Sequence, residues 1–240
     1  LILFKVGEKM YPNMQAYDRG AMFSPDGRLL QVDYAREAVR RGATSIGITT
    51  NNEVILIAHK NITEPLAIPN TVQKIFRIDA NIGVTYSGLV SDGLHIINVM
   101  RNHTQTHRMI YDETESIEAI SKEIAEEIQV ATQYGGLRPY AISLLIGGFD
   151  KVPKLFEVDA GASFLGYKAD AIGQGKQKAQ ELLSKEYKED MSLADSITLG
   201  LSIIKRTVEQ KINEFNVDIA TVTKKDGYRQ WDPDEIKKYL

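Results

Sequence analysis

The stretch SPDGRLLQVDYAREAV, Ser24 to Val39, places a rigid turn and a short charged helix ahead of the first sequence that reads as a buried strand. Ser24-Pro25-Asp26-Gly27 has the makings of a β-turn, with proline presetting φ at the second position and glycine closing it. The helix that follows puts Val32, Ala35 and Val39 on one side. Asp33 stands in its first turn and Arg40 and Arg41 in its last, each sign complementing the helix dipole. Glu37 is spaced to pair with Arg40 or Arg41, and Gly42 ends the helix. Physical chemistry alone leaves two roles open for this preamble: a cap over one end of the sheets, or a helix that binds a partner or assembles copies.

Downstream of the preamble, strands and helices come in groups. ATSIGIT and EVILIA read as two strands joined by a turn at Thr50-Asn51-Asn52, and IGVTYSG as a third that ends at Gly88. Ser91 is placed to cap a helix bearing Leu94, Ile97 and Met100 on one face. A second helix carries Ile117, Ile120, Ile124 and Ile128 and is broken by QYGGLRPY. AISLLIGG, KLFEVD and YKADAIG are further strands, followed by a helix with Ala179, Leu182, Leu183 and Tyr187. The next helix opens on Ser192 and Asp195 in capping-box spacing, with a stripe of Ala194, Ile197, Leu201, Ile204 and Val208. VDIATVTKKDGYRQW reads as a hairpin in which Asp226-Gly227 supplies two positive-φ positions. A last helix starts at Asp232-Pro233 with Glu235 in capping-box position.

This grouping predicts an α+β fold of layers, two sheets face to face with helices on both outsides. No Gly/Ser-rich linker or shift in composition divides the chain, so residues 14–240 read as a single domain. Residues 1–13 read as a flexible N-terminal tail or extension, with Met10 and Met14 close by.

Composition narrows the function. A net charge of −3 provides no electrostatic reason to expect nucleic acid or an anionic membrane as a partner. With no cysteine, thiolate catalysis, disulfides and Cys-based metal sites are excluded. No apolar run is long enough to span a bilayer, and the opening LILFKV is interrupted too soon by Glu8, Lys9 and Pro12 to serve as a secretion signal.

The minor constellations favour bland roles. GQGK, Gly173 to Lys176, stands between a strand and a helix as a phosphate loop would, but lacks the spacing and the Ser/Thr after the lysine; a glycine turn opening a helix is the expectation. His103 and His107 are four apart on a helix with no acid between them, which suits a hydrated helix end better than a metal. His59 and His95 stand alone, no G-x-S-x-G elbow occurs, and KEYKED at 185–190 reads as a solvated helix end.

The longer stretch AYDRGAMFSPDGRLLQVDYAREAVRRGATSIGI, Ala16 to Ile48, resembles the N-terminal signature of α-type subunits of the 20S proteasome, of the archaeal kind. The likeness continues through KIFRID, SGLVSD, YGGLRPYAISLLIGGFD and AIGQGK to the end of the chain. It implies a four-layer αββα sandwich of the N-terminal-nucleophile hydrolase type with an extra N-terminal helix, built into a seven-membered ring. In that family the helix lies across the top of the sandwich and serves the ring. Tyr17, Asp18, Pro25 and Tyr34 match the cluster that holds the open gate. Tyr134, Gly135, Gly136, Leu137, Arg138, Pro139 and Tyr140 match the loop forming the narrow annulus beneath.

Catalytic subunits of the same fold use an N-terminal threonine, with its own amine as base. Against that pattern Ala43 occupies the nucleophile position, Thr44 is next door but not terminal, the acidic partner falls near His59, and only Lys74 persists. The expectation is therefore a catalytically silent subunit, with no catalytic residue, no metal and no cofactor. The resemblance implies a different task for Lys74: lining a pocket that receives the C-terminal carboxylate of an activator, beside Gly42 and Gly88, whose missing side chains make room for a docked tail. The partners implied are other copies of the chain, proteasome β subunits, an ATPase activator ring and unfolded polypeptide passing the pore; the place implied is the cytoplasm. The alternatives are an active hydrolase cut before Ala43 or Thr44, and a nucleotide binder built on GQGK.

Overall fold

The computed structural model describes residues 4–6, 9–11, 17 and 21–240, the first two segments and Asn70 by their backbone. In chain order the elements are β1 (Phe4–Val6), β2 (Lys9–Tyr11), α1 (Leu30–Arg40), β3 (Ser45–Thr49), β4 (Glu53–His59), β5 (Ile75–Asp79) and β6 (Ile82–Gly88). Then come α2 (Val90–Tyr111), α3 (Ile117–Gln133), β7 (Ile142–Phe149), β8 (Pro153–Val158), β9 (Phe164–Gly166) and β10 (Ala169–Ile172). The chain finishes with α4 (Lys176–Glu186), α5 (Leu193–Thr207), β11 (Val217–Thr223), β12 (Gly227–Gln230) and α6 (Pro233–Ile236). Within the opening segment, β1 and β2 pair antiparallel, Lys5 opposite Met10.

Two five-stranded antiparallel sheets, ordered β10-β3-β4-β11-β12 and β5-β6-β7-β8-β9, make the body of the molecule. Strand alternation sorts the side chains into three apolar layers. Val54, Leu56, Ile75, Leu145, Leu155, Ile172 and Ala220 fill the space between the sheets. From the same strands Ile55, Ile57 and Ile219 point the other way, into α4 and α5, where they meet Leu183, Ile197, Leu201 and Ile204. Leu144 and Ile146 of β7 point outward on the far side and pack with Ile97, Met100, Ile117, Ile120, Ile124 and Ile128 of α2 and α3. The fold is thus an α+β, four-layer αββα sandwich, and strands such as β7 read as unbroken apolar runs because both of their faces are covered. Among the described residues no helix is long and apolar enough to cross a membrane.

Five local expectations are corrected. The residue before α2 is Leu89, so Ser91 lies inside the helix and does not cap it; Leu94 is exposed, and Ile96 takes its place in the core. In α5 the core stripe is Ile197, Leu201 and Ile204, while Ala194 faces outward. Ser192 caps α5 by accepting the Asp195 N–H at 3.2 Å, but its hydroxyl donates to the Asp195 carboxylate in place of a reciprocal backbone bond. In the β11–β12 hairpin only Gly227 has positive φ, +63°, because Thr223 pairs with Gly227 across a three-residue connection and no two-residue turn is needed. The α6 capping box forms as expected, the Asp232 N–H donating to Glu235 at 3.2 Å.

Candidate functional site

Helix α1 is fastened across one end of the second sheet. Its Ala35 and Val39 pack on Ala141, at the start of β7, and Ala160, just past β8. Ser87 Oγ donates to Val39 O at 3.2 Å, and Arg36 Nη2 pairs with Asp159 at 2.9 Å. The opposite face carries exposed Tyr34, Glu37, Arg40 and Arg41. Ahead of the helix the Ser24–Gly27 turn closes as read, with Gly27 N–H donating to Ser24 O at 2.8 Å and Gly27 at φ +78°. Ser24 is buried and its hydroxyl donates to Asp26 Oδ1, which holds that exposed carboxyl below its usual range; Pro25 stands exposed at the corner. Tyr17 is half-buried, and Asp18 lies outside the described residues.

The loop 134–140 comes close to this segment. A groove of about 390 Å³ is lined on one side by Ala21, Leu29 and Val32 and on the other by Gly136, Leu137, Arg138 and Pro139. Two glycines give the loop its reversal: Gly136 has φ +91°, and neither it nor Gly135 has an atom within 4 Å of where a Cβ would stand. Arg138 anchors the loop through two bonds to Asp92, Nη1–Oδ2 at 2.6 Å and Nη2–Oδ1 at 2.7 Å, and the Ala141 N–H adds a third at 2.9 Å. The Arg138 hydrogen bonds hold the buried Asp92 carboxyl below the usual carboxylate range. Tyr140 stacks on His95 and donates to Glu127, leaving Tyr134 and Leu137 exposed at the tip.

Ala43 and Thr44, between α1 and β3, open onto a polar cleft of about 540 Å³ shared with His59, Thr63, Gln174 and Gln210. Thr44 is buried and its hydroxyl accepts the Gly175 N–H at 3.0 Å. His59 is buried with Nε2 3.0 Å from Gln210 Oε1; burial, aided by the charge of Lys74, holds its pKa below the usual imidazole value. In the GQGK turn, Gly173 has φ +89°, the Gln174 N–H donates to Gly42 O, and Lys176 pairs with buried Glu157 at 2.6 Å. These donors serve the chain itself, which disfavours a phosphate loop.

Lys74 lies at the start of β5 and is only 8% exposed. Its N–H donates to Asp218 Oδ2 at 2.8 Å, and its ammonium rests over the Tyr86 ring, 4.1 Å from the centroid. Among the described residues no carboxylate forms an ion pair with that ammonium. Burial pushes its pKa down from 10.5 to about 8, with Asp218 opposing the shift. Gly42 and Gly88 meet two residues along β6 from Tyr86: a Cβ on Gly42 would stand 2.2 Å from Ser87 Oγ, and one on Gly88 2.0 Å from Ala141 O. The chain's own close packing thus requires glycine at both positions.

The remaining histidines are held locally: His103 lies 3.0 Å from Glu115, and His107 tilts against Tyr111 at 4.7 Å. Among the described residues no three His, Asp or Glu side chains gather as a metal would require. Sequence reasoning missed Lys60, Asp218 and Asp92. The signal was present for Asp218, an acid inside the apolar strand VDIATV, where a buried charge needs a partner.

Residues 39–222 match the family model described as proteasome subunit, and residues 17–38 match the model for the N-terminal signature of A-type proteasome subunits. The chain is 42% identical to the proteasome alpha subunit of Archaeoglobus fulgidus, covering 96% of this chain and 95% of that one. It is 43% identical to the Methanosarcina thermophila protein of the same name over 96% and 94% of the two chains. With that of Pyrococcus horikoshii the identity is 41%, over 95% and 88%.

Proposed function

The chain belongs to the proteasome subunit family as an α-type member, and from that premise we propose that it is a non-catalytic ring, gate and docking subunit. It forms the outer seven-membered ring of a cytoplasmic 20S particle, sits on a ring of β subunits, and admits unfolded polypeptide to their chamber. The observation that carries this reading is the junction of α1 and β3. The resemblance puts Ala43 at the family's nucleophile position, and α1, packed on Ala141 and Ala160, is fastened in front of it. Acyl transfer of the family's kind needs a free amine and a hydroxyl on one terminal residue. Ala43 has no hydroxyl, and that of Thr44 is engaged by Gly175.

Gating fits the facing pair of the Ser24–Gly27 turn and loop 134–140. The anchored Arg138–Asp92 contact supplies a fixed rim, and Ala21 and Leu29, ahead of α1, face it across the groove. Docking fits Lys74, a buried cation whose partner among the described residues is a ring face and no carboxylate. A chain-terminal carboxylate entering that cleft would gain a charge-assisted bond in a partly desolvated site.

Native mass spectrometry of the purified chain, with an intact mass from the same sample, tests the assembly. A ring near seven times 26.9 kDa of uncut chains is the expected result. Chains shortened to begin at Ala43 or Thr44 would overturn it.

A further inference from the structure

The buried cluster beneath Lys74 contains two lysines and one aspartate, Lys60, Lys74 and Asp218, each less than a tenth exposed. Lys60 leaves the end of β4, where its N–H donates to Asn216 O at 2.7 Å, and its ammonium reaches Asp218 Oδ1 at 2.7 Å. The other carboxylate oxygen, Oδ2, accepts the Lys74 backbone N–H at 2.8 Å. Both oxygens of Asp218 are therefore committed, one to the Lys60 charge and one to a neutral donor. The Lys74 ammonium is left to the Tyr86 ring, whose quadrupole attracts a cation without neutralising it.

The other groups facing Lys74 do not alter the charge count. His59, at the end of β4, is held neutral by burial, and burial raises the pKa of Tyr86 on β6. Tyr228 of β12, behind Asp218, is likewise pushed up by burial. The cluster thus carries a net charge of about +1 in a low-dielectric setting, where each charge acts more strongly than in water.

We propose that Lys60 is a positioning residue for the docking pocket: by occupying Asp218 it leaves Lys74 as the uncompensated cation that selects an anionic chain terminus. This rests on the reading of Lys74 as the receptor for an activator's carboxylate. Without Lys60, the Asp218 charge that already favours the Lys74 cation is no longer balanced by a second lysine, and the cluster becomes neutral. Without both Lys60 and Asp218, the charge of +1 returns. The two changes act in opposite directions, which loss of packing alone would not do.

The test uses the assembled particle in four forms: wild type, Lys60→Met, Lys60→Arg and Lys60→Met with Asp218→Asn. The probes are a fluorescent peptide copied from the C-terminus of an ATPase that stimulates the particle, and the same peptide ending in a carboxamide. On the same samples, NMR of ¹³C-labelled lysine reads the titration midpoint of Lys74. Lys60→Met is expected to weaken the carboxylate peptide at least about tenfold and to raise the Lys74 midpoint. Lys60→Arg is expected to resemble wild type. The double variant is expected to recover affinity to within about threefold. A Lys74 midpoint that stays put in Lys60→Met, or a double variant as weak as Lys60→Met, overturns the proposal. Equal binding of carboxylate and carboxamide peptides to wild type, with the midpoint moving as expected, instead overturns the docking reading and with it the role assigned to Lys60.

Discussion

Replacing Lys74 by methionine is expected to stabilise the fold while abolishing activator docking. The side chain is nearly enclosed, and burial lowers its pKa from 10.5 to about 8. At 1.36 kcal/mol per pKa unit, keeping it charged at pH 7 costs the folded state about 3 kcal/mol. Methionine fills a similar volume without charge and so relieves that cost. The gain at pH 7 is therefore about 3 kcal/mol. Its pH dependence follows from linkage. Between about pH 8 and 10.5 the unfolded chain holds the Lys74 proton and the folded chain does not, so wild-type stability rises with pH through that window. The methionine variant lacks this rise, and the gap between the two closes toward pH 10.5. Urea unfolding at one fixed protein concentration, followed by fluorescence of the buried Trp231, measures both. A variant less stable than wild type at pH 7, or a gap that does not change between pH 7 and 10, would contradict a buried, charged Lys74.

Two further outcomes test other parts of the structure. Gly88→Ala forces a side chain onto φ +118° with its Cβ 2.0 Å from Ala141 O, so it should cost at least about 3 kcal/mol; a loss below about 1 kcal/mol in urea unfolding would show that the β6–α2 junction can shift to accept it. Arg138→Ala leaves the Asp92 carboxylate buried without its ion pair and should cost about 2 kcal/mol at pH 7. Because Arg138 lowers the Asp92 pKa from its ordinary 3.8, that difference is present above pH 3.8 and disappears as pH falls through the folded value. Unfolding at pH 7 and at acid pH checks it, and an equal gap at both would remove Asp92 as the cause.

Grouped strands and helices, with the long signature ahead of them, were enough to read the layers. Apolar spacing alone determines which face of α3 turns inward, since Ile117, Ile120, Ile124 and Ile128 admit one buried stripe. It does less well at helix starts. Leu94 matched the spacing of Ile97 and Met100, yet the helix is set by its packing on β6, where Gly93 abuts the Tyr86 ring, and Leu94 is rotated out to solvent. Loop 134–140 was legible as a break because two adjacent glycines end a helix, but its anchor was not, since Asp92 stands 46 residues earlier.

Everything legible in the order of residues is therefore local or periodic: the αββα layering, and the turn and helix of the preamble. The charge state of the site emerges only from long-range packing. Lys60, Lys74 and Asp218 are separated by 14 and 144 residues along the chain, and they become one electrostatic unit because β4 and β11 pair side by side and Lys74 enters the neighbouring sheet against them. Whether a lysine is a solvated ion or a buried cation seeking an anion depends on the dielectric around it, and that is set by residues no local pattern brings together.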